Sequence, residues 1–153
     1  MNKSRFTVGA LALAAAILIP LEGMELRTYQ DPVGIPTVCV GETRKSIVLR
    51  QRFTEKECLD ILDASLLERS KALSECVNVP IKEHEAAALL SWAYNVGTPA
   101  ACGSTLMRKL NAGQEWCSEL KRWVYADGKV LKGLVNRRTA EFQMCTNQSW
   151  SAR

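Results

Sequence analysis

Residues 22–43 read Glu22-Gly23-Met24-Glu25-Leu26-Arg27-Thr28-Tyr29-Gln30-Asp31-Pro32-Val33-Gly34-Ile35-Pro36-Thr37-Val38-Cys39-Val40-Gly41-Glu42-Thr43. Pro32, Gly34, Pro36 and Gly41 interrupt β-formers such as Thr37-Val38-Cys39-Val40, the pattern of short strands joined by tight turns. The stretch predicts a small antiparallel sheet near residues 29–49, entered from a short helix over 21–26 that carries Glu22 and Glu25. Downstream the period changes. Thr54-Glu55-Lys56-Glu57 is a capping box that opens a helix, and Cys58, Leu59, Ile61, Leu62, Leu66 and Leu73 follow at helical spacing. Pro80 breaks the run. A second helix over about 83–96 is apolar around much of its circumference, so it is expected to be central and buried, with Gly97 ending it. Shorter helices are expected at 104–110, 115–123 and 136–145, separated by Gly113, the Asp127-Gly128 turn and Gly133. The fold class is α+β, mostly helical and two-lobed, and the cleft between the lobes is the default site.

The chain of 153 residues is long enough for one domain with a real core and too short for two. Its formal charge of +4 includes Lys3 and Arg5; beyond residue 21, eighteen basic residues face sixteen acidic ones. The densest basic cluster, Lys129, Lys132, Arg137 and Arg138, is too small for a nucleic-acid surface. The balance tolerates an anionic polymer or a phospholipid surface.

Residues 6–21 (FTVGALALAAAILIPL) carry no charge and follow Lys3 and Arg5. As a helix they would reach roughly 24 Å, against a bilayer core of about 30 Å. We read the segment as an uncleaved, loosely held signal-anchor, with the basic flank inside and the rest exported. A cleaved signal peptide is the alternative. A buried core helix is the least favoured option, because nothing on the segment is polar enough to face solvent. The division is therefore an anchor over 1–21 and a catalytic domain over 22–153.

Cys39, Cys58, Cys76, Cys102, Cys117 and Cys145 form an even set without a CxxC pair, which in an exported chain points to disulfides. Sequence alone allows fifteen complete pairings; the most local is Cys39–Cys58, Cys76–Cys102 and Cys117–Cys145. With His84 as the only histidine, no metal site and no cofactor are expected. A thiol amidase using a cysteine and His84 is a rival reading, although Lys82-Glu83-His84-Glu85 reads as a solvated helix start.

Hydrolysis of a glycosidic bond by inversion needs two carboxyl groups roughly 6.5–9.5 Å apart. Glu22, flanked by Leu21 and Leu26, and Asp31, at the entrance to the sheet, are the candidates; Thr37 offers a hydroxyl to hold water, and Glu25 is a rival for Glu22. Asp-Pro in a turn often does no more than accept backbone hydrogen bonds. Trp92, Tyr94 and Trp123 read as core. Trp116 reads as helix packing, with sugar stacking the alternative, and Trp150 has no periodic partner. Asn95 is expected to bond backbone, and Arg137 and Arg138 to satisfy Glu141 or helix ends.

The run Glu22-Gly23-x-x-Leu26-x-x-Tyr29-x-Asp31-x-x-Gly34-x-x-Thr37-x-x-x-Gly41-x-Thr43 closely resembles the active-site region of the phage-type lysozymes. Ala87-x-Leu89-x-Ser91-x-Ala93-Tyr94-Asn95-Val96-Gly97 and Ser104-Thr105-Leu106-x-x-Lys109-Leu110-Asn111 resemble the same family, as does Arg122-Trp123 through Arg137-Arg138-x-x-Glu141. The resemblance covers about residues 22–145. It implies a lysozyme-like fold and a muramidase acting on peptidoglycan glycan strands. Glu22 would be the general acid, with Asp31 and Thr37 steering the attacking water.

One position departs from the family pattern: Glu42 stands in Val40-Gly41-Glu42-Thr43 where a histidine is common, so the turn must be held another way. The apolar start resembles the signal-anchor-release endolysins. That implies export by the host secretion machinery and a tether to the bacterial inner membrane through residues 6–21, facing the periplasm. Release to the periplasm would follow, with holin dependence, and tethering would act as a timing switch by misplacing Glu22. The expected state is a monomer. A non-catalytic peptidoglycan-binding protein is the rival of another class.

Overall fold

The computed structural model describes residues 5–149; Lys3 and Trp150 lie outside them. Seven α-helices are numbered in chain order: α1 Val8–Glu22, α2 Lys45–Val48, α3 Glu55–Ser74, α4 Glu83–Val96, α5 Thr98–Cys102, α6 Thr105–Asn111 and α7 Lys132–Cys145. Two antiparallel ribbons, β1 Glu25–Gln30 with β2 Pro36–Cys39 and β3 Tyr125–Ala126 with β4 Lys129–Val130, and a 3-10 helix Cys117–Arg122 complete the chain. The fold is mostly helical α+β.

The opening segment is a core helix, and this corrects the sequence reading. Ala10, Ala14, Ile17 and Leu18 are fully buried, packed chiefly against α4 and then α3. Burying Ile17 and Leu18 alone contributes about 1.5–3 kcal/mol each. The outward face is Val8, Ala12, Ala16 and Pro20, one residue every four. It needs no polar side chain because alanine exposes little apolar area. No helix among the described residues is long and apolar enough to cross a membrane. The tether through residues 6–21, the inner-membrane location and the timing switch built on them are therefore corrected: α1 lies in the protein core.

α4 sits at the centre, between α1 and α7, with Ala86 through Ala93 buried along its length. A second, smaller core of Val38, Cys39, Val48 and Cys58 lies under the β1–β2 ribbon. Met24 packs against both cores and so couples the two lobes. Thr54 caps α3 through the expected box with Glu57, and Ser104 caps α6.

Several boundaries differ from expectation. No helix continues to residue 26: α1 ends at Glu22, where Gly23 takes φ 76°, and the chain enters β1 at Glu25. β2 stops at Cys39, and residues 45–48 form a helical turn rather than strand. Residues 117–122 wind as a 3-10 helix, α7 starts at Lys132, and Asp127-Gly128 closes a two-stranded ribbon. The short α5 had no periodic signal.

The cysteines pair as Cys39–Cys58, Cys76–Cys102 and Cys117–Cys145, leaving no free thiol. The first joins β2 to α3. Each cross-link is worth roughly 2–4 kcal/mol.

Candidate active site

Three short pieces of chain carry the candidate residues. Gly23 ends α1 with a backbone turn that L-residues rarely adopt, so Glu22 is the last helical residue. Its carboxylate lies against Gly41: a Cβ there would come within 2.7 Å of Glu22 Oε2, and the φ of 66° also favours glycine. Arg137 on α7, 115 residues away in sequence, donates from Nη1 to Glu22 Oε1. Glu22 keeps 22 % of its side chain exposed, so it is held and still reachable.

Asp31 builds the turn between β1 and β2. Its Oδ1 accepts from the backbone N–H of Val33 at 2.9 Å and of Ile35 at 2.8 Å. These are the bonds expected of a turn aspartate, and they fix the carboxylate through one oxygen. No hydrogen bond within the described residues uses Oδ2. Thr37, only 5 % exposed, donates from its hydroxyl to the carbonyl of Ile35 at 2.9 Å, which leaves lone pairs free to accept.

Tyr29 faces Thr37 across the ribbon, and cross-strand partners share one face. Its phenol is pushed above the ordinary value of 10.0, first by burial, then by the charges of Glu25, Glu22 and Asp31. The three carboxylates thus act electrostatically on one hydroxyl. Glu25, the rival for Glu22, is exposed on β1.

Under Glu22 lies a buried charged cluster. Arg137 Nη2 donates to the Ser91 carbonyl at 2.9 Å, and its Nε stands 3.6 Å from Glu141 Oε1. Arg138 donates to Glu141 and to Asn95 Oδ1 through its two terminal nitrogens, and from Nε to the Trp123 carbonyl at 2.9 Å. Burial pushes Glu141 up while Arg138 and Arg137 pull it down; burial likewise lowers Arg138. Asn95 therefore bonds a side chain, where backbone was expected. Arg138 satisfies Glu141 as read from the sequence. The Arg137–Glu22 contact was missed: spacing along α7 reveals the local partner, and nothing in sequence marks one 115 positions away.

The Glu42 turn is held by a different set of bonds. Glu42 Oε1 accepts from the Arg44 backbone N–H and Nε, both at 3.1 Å, and Oε2 from the Ser65 hydroxyl at 3.1 Å. Burial would raise this carboxyl, but Arg44 and Ser65 outweigh it and hold it below the usual range. Tyr94 adds a bond from its hydroxyl to the Val40 carbonyl. Burial, then the charge of Glu42, pushes that phenol up to about 12.

His84 is half-buried rather than solvated, with Nδ1 3.1 Å from the carbonyls of Met144 and Cys145 at the end of α7. With every cysteine cross-linked, the thiol amidase has no nucleophile. Trp92 is fully buried and meets Trp123 edge-on at 5.2 Å. Trp116 is 5 % exposed and belongs to the main core.

Comparison with known proteins places this geometry in context. The model of the phage lysozyme family matches residues 20–141. A SAR-endolysin of bacteriophage PS119 is 39 % identical over 145 residues, covering 90 % of this chain and 87 % of that protein. The SAR-endolysin of Escherichia phage Mu is 40 % identical over 126 residues, covering 81 % of this chain and 73 % of that one. Among solved structures, an endolysin from an Escherichia coli phage, FAHEc1, superposes with a TM-score of 0.80 at 26 % identity, over 95 % of this chain and 96 % of that chain.

Proposed function

From the membership of this chain in the phage lysozyme family, we propose that it is an endolysin muramidase. It hydrolyses the β-1,4 bond between N-acetylmuramic acid and N-acetylglucosamine in peptidoglycan, and the biological outcome is lysis of the host cell. Glu22, Asp31 and Thr37 are the residues we assign to catalysis. The observation that carries the assignment is the arrangement of the two carboxylates. Glu22 is held by Arg137 at the end of α1 with part of its surface open. Asp31 is fixed through Oδ1 in the β1–β2 turn, and no hydrogen bond among the described residues uses its Oδ2.

The chemistry follows from those positions. The Glu22 carboxyl proton passes to the glycosidic oxygen as the bond from that oxygen to the muramic-acid C1 breaks. A water aligned by the Thr37 hydroxyl attacks C1 from the opposite face, and its proton passes to Asp31. The new sugar end has the opposite anomeric configuration. Proton exchange with solvent resets both groups.

Glu22→Gln keeps the shape and removes the transferable proton. On purified cell walls its rate of new reducing-end formation should fall by about 10²–10⁴-fold, the usual share of general acid–base catalysis, with wall binding retained. Unchanged release of reducing ends by the variant would sink the assignment. Absence of reducing ends from the parent protein would favour a wall-binding module.

A further inference from the structure

An acid catalyst works in its protonated form, yet an arginine contact favours the ionised form of a carboxyl group. Arg137 touches Glu22, is only 7 % exposed, and cannot give up its charge under ordinary conditions. Water therefore screens little of its field. Arg138 lies on the same helix, is 1 % exposed, and its charge also reaches Glu22. Two buried cations thus bear on the group that must keep a proton.

We propose that Glu141 is a positioning residue for this acid: lodged without solvent contact between Arg137 and Arg138, its carboxylate offsets their charge and orients Arg137 against Glu22. The inference rests on the reading of Glu22 as the acid. Glu141 has no exposed surface. One of its oxygens accepts from Arg138 Nη1 and lies 3.6 Å from Arg137 Nε. The second distance is beyond a hydrogen bond, and Arg137 Nε completes no hydrogen bond among the described residues. Glu141 therefore acts on Arg137 through charge, which is the term that matters to Glu22. With Glu22 in its acid form, Arg137 and Arg138 supply two positive charges and Glu141 the one negative charge among these four groups. Deleting the Glu141 charge leaves two cations facing Glu22 alone.

The other groups at the cluster do not carry this role. Tyr94 from α4 and Tyr29 from β1 both feel Glu22, and both phenols are raised, so they stay neutral in the working range. Ser91 from α4 favours the charged form of Glu141, although neither its hydroxyl nor Glu141 Oε2 completes a hydrogen bond among the described residues. Burial favours the neutral form of Glu141. Losing its charge would leave Arg138 with no acidic partner among the described residues, a cost that favours the carboxylate form.

The test is a pH profile of kcat on purified cell walls, using the full oxidised chain and reading new reducing ends. Glu141→Gln preserves shape and removes the charge. Its alkaline limb should move down by about one pH unit, with KM little changed. Asn95→Asp places a negative charge against Arg138 at an exposed position of α4 and should move the limb upward by a smaller amount. A purely structural Glu141 would lower kcat evenly at every pH. Limbs unmoved in the folded variants, or in Asn95→Asp alone if Glu141→Gln does not fold, overturn the proposal. Activity surviving Glu22→Gln would instead refute the acid assignment, so the two failures are distinguishable.

Discussion

Glu42 in the small lobe and Glu141 in the helical lobe are both nearly or wholly buried, and both meet arginine. Their surroundings differ in completeness. Both oxygens of Glu42 are bonded, to Arg44 and to Ser65, and Arg44 goes on to Ser65 at 2.8 Å and Glu68 at 3.2 Å. Glu141 is hydrogen-bonded through Oε1 only; Oε2, Ser91 Oγ and Arg137 Nε complete no hydrogen bond among the described residues. The net effects are opposite: Glu42 is held below the ordinary carboxyl value and Glu141 above it. A fully bonded charge fastens a turn. An incompletely bonded one spends its field on its neighbours, and here the neighbour is the arginine on Glu22.

Breaking each network at its arginine should separate the two by the largest margin. Arg138→Met leaves Glu141 buried beside Arg137 alone and should cost about 3–5 kcal/mol, the usual penalty for orphaning a buried charge. Arg44 is 46 % exposed, so water replaces part of what Arg44→Met removes. That variant should cost about 1–2 kcal/mol, within the range for lost bonds to a charged group. Urea unfolding of both variants measures the gap. Equal losses would erase the distinction between the lobes.

How far the sequence foretold these networks depends on the range of the contact. Thr54 with Glu57 is a cap three residues apart, and it formed where the spacing placed it; Ser104, read as the first residue of a helix, instead caps α6 through the Met107 N–H. Helix α4 likewise keeps the span its periodicity gave. Arg138 with Glu141 is one turn of helix and was legible for the same reason. Arg137 with Glu22 and Glu42 with Ser65 join segments 115 and 23 residues apart, and only the folded chain reveals them. The apolar start was misread for another reason. Hydrophobicity is the same driving force toward lipid and toward a protein core, so an uncharged segment does not say which it enters. The structure turns Val8, Ala12, Ala16 and Pro20 outward, two of them alanines that expose little apolar area.

The Glu42 side of the comparison sharpens with acid. A carboxyl held below its ordinary value of 4.5 contributes stability that is present above that value and is lost as pH falls through the folded one. Glu42→Gln should therefore cost about 1.5–3 kcal/mol at pH 7, the range for bonds to a charged group. The parent and variant should converge as the pH drops below the ordinary carboxyl value. Thermal unfolding across pH 7 to 3 reads this directly. A constant difference over that range would mean that Glu42 works by shape rather than charge.

The smallest effect should come from Tyr94, which stands between the two networks. Its phenol feels Glu42 and Arg69 on one side and Glu22 and Arg137 on the other, and its hydroxyl bonds the Val40 carbonyl in the small lobe. Tyr94→Phe removes that bond while keeping the ring under the Arg69 guanidinium, whose carbon sits 4.5 Å from the ring centre. The loss should be about 1 kcal/mol, one hydrogen bond's net worth. Because the phenol titrates only near 12, it carries no charge where the enzyme works. Its removal should leave both limbs of the kcat profile in place. A shifted limb in Tyr94→Phe would mean that the lobes communicate through this hydroxyl, and the two glutamate networks would then have to be treated as one.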